Sequence, residues 1–224
     1  MRDSGALTSS LAVVLAFIVH CSPGAEPQPS FPATSSGPAS FNAPGPSIWP
    51  EGIGNGFDPA VQTLGISAAG GAGIAAFGSA QAHDLAFLSL SYGHMIGRIM
   101  GKGAWYRGNW ELRLEAFGGA QFSPDSNWLF GLTPHLRYNF ATGTRFVPFL
   151  DGGAGLTATG IGPPDLSNTF EFNLQGGVGV HWFVGDEMAL TLEGRYLHLS
   201  CAGLSQPNQG LNTVLGLVGV TFFF

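Results

Sequence analysis

The chain has 224 residues, a net charge of −6 and no basic run, which argues against nucleic acid as a partner. Charged residues make up 10%, against about 25% in typical soluble domains, and glycine is abundant. A surface so poor in charge is ill suited to facing water all round, so something other than water is expected to cover much of it.

The first segment reads as an export signal over residues 1–25. Arg2 gives a basic start, Leu11 to Val19 is an unbroken apolar run, and small residues follow around Ala25. Nine apolar residues are too few for a spanning helix, which needs about 20. A lipoprotein signal ending at Cys21 is disfavoured by His20 just before it. If Cys21 leaves with the signal, Cys201 has no intrachain disulfide partner. Residues 26–52 are rich in Pro, Ser, Gly and Ala and read as a linker, with too little apolar surface to fold alone.

Residues 53–224 then fall into eight strand-length segments, near 61–76, 84–97, 108–121, 128–141, 145–158, 169–184, 187–200 and 211–224. Several alternate with period two. Trp110, Leu112 and Leu114 alternate with Glu111, Arg113 and Glu115. Phe170, Phe172 and Leu174 alternate with Glu171, Asn173 and Gln175. Leu190, Leu192 and Tyr196 alternate with Thr191, Glu193 and Arg195. In a soluble barrel or sandwich the apolar set faces a core. In a membrane barrel it faces lipid and the polar set faces the lumen.

Three features favour an all-β, eight-stranded antiparallel transmembrane β-barrel. The segment number is even, opposite charges such as Glu111 and Arg113 share the polar face, and the last strand ends on aromatics, Thr221 to Phe224. An even barrel keeps both termini on the periplasmic side, with short periplasmic turns and longer outer loops. The connection near 98–107 is longer than that rule expects. On this count strand seven ends at the cell surface. The charged residues Glu111, Arg113, Glu115, Glu193 and Arg195 are expected to form a structural lumen network, with His135 and His181 hydrogen-bonded beside them. A transport pore is disfavoured, because eight strands leave an interior that side chains fill.

His198 and Ser200, two residues apart, share a face of strand seven with Tyr196, the lipid face. Polar groups there cost free energy unless paired or functional. The bland account is that both meet water or headgroups at the rim. The sharper one is a serine nucleophile and a histidine base within reach of a lipid ester. His83 and Asp84 read as a solvated loop pair rather than a metal site, and neither metal nor cofactor is expected. Cys201 is a rival nucleophile, but its neighbouring position turns it to the other face.

The run His198-x-Ser200-x-Ala202-Gly203, followed by Pro207-Asn208-x-Gly210, resembles the signature of the lipid A 3-O-deacylase (PagL-type) family, also labelled acyloxyacyl hydrolases. The resemblance implies an outer-membrane barrel that hydrolyses an acyl ester of lipid A in lipopolysaccharide, working among outer-membrane lipids. By position it implies Ser200 as nucleophile, His198 as general base and Asn208 as part of the oxyanion site. Two residues depart from the pattern. Cys201 stands where the family often has Asn, and the acidic partner of the histidine falls at Asn212. An asparagine can orient a histidine but cannot stabilise imidazolium by charge. The alternative is therefore a non-catalytic structural or adhesive barrel on the same scaffold.

Overall fold

The structure is a computed structural model that describes residues 47–224. The expected export signal and most of the expected linker lie outside the described residues. Eight antiparallel strands follow: β1 (Gln62–Gly73), β2 (Asp84–Met100), β3 (Gly108–Ser123), β4 (Asn127–Phe140), β5 (Phe146–Thr159), β6 (Phe170–Phe183), β7 (Met188–Ser200) and β8 (Leu211–Phe223). Each pairs with the next, and β8 returns to β1, closing the barrel. Closure removes sheet edges, whose free N–H and C=O groups have no water to bond in hydrocarbon. At the seam Thr63 stands opposite Phe223 and Gly73 opposite Thr213. Gln62 and Phe224 exchange backbone bonds of 2.8 and 3.0 Å, so the terminal aromatics form the last rungs.

The strands lie within a few residues of the expected segments. β2 is the longest, running to Met100 through a register irregularity after Ile96 that includes Gly97 at φ 76. This extension takes up part of the expected 98–107 connection and leaves a turn at 101–107. Three connections at the other end, 74–83, 160–169 and 201–210, are long, while 124–126 is short.

The alternation sorts side chains as a membrane barrel requires. Leu112, Leu114, Phe170, Phe172, Leu174, Leu190 and Leu192 are exposed, while Glu111, Arg113, Glu115, Glu171, Asn173, Glu193 and Arg195 are buried. A soluble sandwich would show the reverse, so the outward apolar wall decides between the two.

The buried charges form one network. Arg195 donates from Nε to Glu193 Oε1 at 2.6 Å and from Nη1 to Glu115 Oε1 at 2.6 Å and Gln175 Oε1 at 2.8 Å. Arg113 also pairs with Glu115. The expected lumen set proves larger. Arg137 donates to Asp151 at 2.7 Å and to Glu193 at 3.1 Å, and His135 pairs with Asp151. His181 accepts from Arg137 at 3.3 Å and bonds Thr191 at 2.8 Å. The lumen cavity beside Arg113 and Arg137 measures about 20 Å³, room for about one water.

Both ends of the lumen are plugged by apolar side chains. Leu85, Phe117, Leu129, Leu166, Leu197, Leu199 and Leu211 cluster at the long-loop end. At the other end Ile48, Trp49 and Phe57 pack with Met95, Phe183 and Phe223. Trp49 stacks on Phe57 with centroids 4.6 Å apart, and its Nε1 donates to Asp186 O at 2.9 Å. Ile48 and Trp49 belong to the stretch read as linker. Their apolar side chains enter the barrel although the Pro-rich composition around them signals none of it.

Arg195 bridges the buried Glu115 and Glu193, so Arg195→Met should remove one of the two cations that each carboxylate contacts, leaving Arg113 on Glu115 and Arg137 on Glu193. Breaking a buried ion pair from one side costs about 3–5 kcal/mol. Urea unfolding of the refolded barrel in detergent should show a loss of that size, and a loss of under about 1 kcal/mol would refute the network's role.

Candidate active site

Strand alternation sets the site. Leu197 and Leu199 point inward and are fully buried, so Tyr196, His198 and Ser200 point outward and are half-buried. His198 Nε2 lies 3.1 Å from Ser200 Oγ. The ring spans the two-residue gap along the strand that a shorter base would leave open. The antiparallel register of β7 and β8 places Asn212 directly opposite His198. Asn212 Oδ1 sits 2.8 Å from His198 Nδ1.

The orientation of the Asn212 amide is fixed by its other partners. Its Nδ2 donates to Ala76 O and to Ser79 Oγ, both at 2.7 Å. Ala76 O can only accept, so the amide oxygen must face the histidine. That oxygen also accepts from Tyr196 Oη at 2.5 Å. Nδ1 of a neutral His198 must then carry the proton, which leaves Nε2 as an acceptor for the Ser200 hydroxyl. This is the tautomer a general base needs.

The loops at this end hold the arrangement. Asp165, in the β5–β6 loop, accepts backbone N–H bonds from Ala80 at 2.6 Å and Gln81 at 3.2 Å. Its carbonyl accepts from Gln209 at 3.1 Å and Gly210 at 3.0 Å. Ser79 Oγ donates to Gly210 O at 2.5 Å. Gly210 adopts φ +77, and a Cβ there would meet His198 Cε1 at 2.8 Å. Glycine is therefore required both for the backbone and for the ring's position.

The expected residues meet these surroundings in different ways. His198, Ser200 and Asn212 come together. Asn208 accepts the Cys201 N–H at 3.0 Å through Oδ1, so the amide next to the serine is engaged and Asn208 keeps its NH₂ as a donor. Cys201 is buried on the inward side, with Sγ 3.4 Å from Ser205 O. Bonding from the Ser205 hydroxyl holds its thiol below the usual pKa, against the opposing effect of burial. His83 corrects the solvated loop pair: it is buried, with Nε2 2.6 Å from Asp165 Oδ2. Its former partner Asp84 accepts the Gly73 N–H instead, at 2.9 Å. The β1–β2 loop folds across the barrel mouth to Asp165, a contact between segments about eighty residues apart. Among the described residues no cluster of three or more His, Cys, Asp or Glu is placed to hold a metal.

Sequence reasoning missed Tyr196 as a partner of Asn212, together with Ala76, Ser79 and Asp165. The parity of Tyr196 with His198 was the available signal. The loop contacts had none.

Fold and site together define a class: an outer-membrane β-barrel with a serine and a histidine in hydrogen-bond reach of each other on its outward wall. Residues 87–221, more than half of the chain, match the family described as Lipid A 3-O-deacylase (PagL), and the protein belongs to that family. The lipid A deacylase PagL of Pseudomonas aeruginosa is 32% identical over 83 residues, which span 36% of this chain and 45% of the relative, less than half its length. The barrel resembles the crystal structure of the outer membrane enzyme PagL, with TM-score 0.54 and 22% identity over 69% of this chain and 97% of that one. It also resembles the crystal structure of Neisserial surface protein A (NspA), with TM-score 0.55 and 16% identity over 73% and 97% of the two chains.

Gly210→Ala should displace the His198 ring while leaving Ser200 in place. Misplacing a catalytic group by about 1 Å costs up to about 10²-fold. Labelling of Ser200 by a fluorophosphonate probe should slow by about ten- to a hundredfold, and an unchanged rate would contradict the geometry.

Proposed function

We propose that the protein is a serine esterase that removes an ester-linked acyl chain from lipid A in the outer leaflet, without a cofactor. The observation that carries this reading is the Ser200–His198–Asn212 relay on the outward wall. Family membership supplies the substrate class. Ser200 Oγ attacks the ester carbonyl as its proton passes to His198 Nε2, forming a tetrahedral oxyanion. The Asn208 NH₂ is the proposed oxyanion donor. Collapse expels the sugar alkoxide, which takes the proton from His198. Water, deprotonated by the same nitrogen, then hydrolyses the acyl-serine and frees the fatty acid.

Asn212 gives His198 its tautomer and its angle but no negative charge, so the imidazolium is less stabilised than beside an acid. This favours a second reading, a non-catalytic barrel. In either case residues 1–25 are proposed as the export signal and residues 26–52 as a linker, with Ile48 and Trp49 anchoring it to the barrel.

Purified protein incubated with lipopolysaccharide should release free fatty acid, read by mass spectrometry of the lipid A. Ser200→Ala should abolish release. Asn212→Ala should slow it by on the order of 10²-fold by freeing the ring. Release that is equal in wild type and Ser200→Ala would sink the esterase reading, and no release by either would favour the non-catalytic one.

A further inference from the structure

Far from the proposed active site, the outer wall is indented at the end where β1 begins and β8 ends. The turn 101–107 folds back onto β4, where Tyr138 Oη donates to Tyr106 O at 2.5 Å. Below it opens a groove of about 500 Å³ bordered by Met100, Trp105, Tyr106, Leu136, Tyr138 and Gly152. Ligand sites commonly measure about 300–1,000 Å³. The floor at Gly152 is open: a Cβ there meets nothing nearer than Gln175 O at 3.9 Å.

Two cations that flank the groove's Met100 in sequence differ from the others in the molecule. Arg113, Arg137 and Arg195 are paired in the lumen, Arg107 pairs with Glu51 at 2.5 Å, and Arg145 pairs with Asp186 at 3.4 Å. Among the described residues this leaves Arg98 and Lys102 without a carboxylate partner. Both are exposed, and each lies two residues from Met100, the groove's border on β2. Trp105 and Tyr106, aromatic and exposed, mark this level as a membrane–water interface.

We propose that this groove holds one anionic phospholipid of the periplasmic leaflet, with an acyl chain against Leu136 and Gly152 and the phosphate between Arg98 and Lys102. By the rule for even barrels the end where the first strand begins and the last strand ends faces the periplasm. The apolar groove accepts a chain of any lipid, and the two unpaired cations select the charge.

Native mass spectrometry of the protein, equilibrated with phosphatidylglycerol and phosphatidylcholine of identical chains, tests this. Wild type should retain a single phosphatidylglycerol with about thirtyfold preference, in line with about 1 kcal/mol for each of two basic residues near an anionic surface. The double variant Arg98→Ala/Lys102→Ala should retain both lipids equally. Gly152→Phe, which fills the groove from an open lipid-facing position, should retain neither. Both variants should keep the heat-modifiable electrophoretic shift of a folded barrel. Equal retention of the two lipids by wild type, a preference that survives the double substitution, or lipid still held by Gly152→Phe would each overturn the proposal.

Discussion

In hydrocarbon, a backbone N–H or C=O without a partner costs several kcal/mol, and no water is present to supply one. The sheet must therefore close on itself, and the pairing of β1 with β8 is what closes it. Once closed, every strand has one wall in lipid and one in the lumen, and the period of two leaves no residue a choice of side. The charges of β3, β4, β5 and β7 are sent inward, where they must neutralise one another. His198 and Ser200 are sent outward by the same parity that buries Leu197 and Leu199. Their place in lipid thus follows from backbone hydrogen bonding rather than from any property of their own.

The cross-strand neighbour of His198 is an amide where the family resemblance implies an acid. An amide differs from a carboxylate in having one end that donates. Asn212 uses that end to hold Ala76 O and Ser79 Oγ, which ties the histidine to the β1–β2 loop. A carboxylate there would set an oxygen against the Ala76 carbonyl. The site therefore exchanges charge stabilisation of imidazolium for a firmer hold on the ring. Tyr196, whose hydroxyl donates to the same amide oxygen, strengthens that hold.

Much of the fold was legible because alternation is local. Glu111 beside Leu112, or Glu193 beside Leu192, declares a face within two residues, and so does His198 beside Leu199. The proposed catalytic residues could be placed on one face for the same reason, since His198 to Asn212 lie in one hairpin. What was hidden depends on closure in three dimensions. Asp165 reaches loops far away in sequence, and His83 looked solvated because its partner lies in another hairpin. Arg137 and Asp151 joined the lumen network across adjacent strands whose glycines blur the alternation. Ile48 and Trp49 were masked by the prolines around them, since composition averages over a stretch while only two of its side chains join the plug.

Asn212 holds neutral His198 with its proton on Nδ1 and its lone pair toward Ser200. Nitrogen-15 NMR of histidine-labelled protein in bilayers, with His198 assigned through His198→Gln, measures this directly. The neutral ring should show a protonated Nδ1 and an unprotonated Nε2, and Asn212→Ala should erase the preference. A neutral His198 protonated on Nε2 in the wild-type protein would contradict the account.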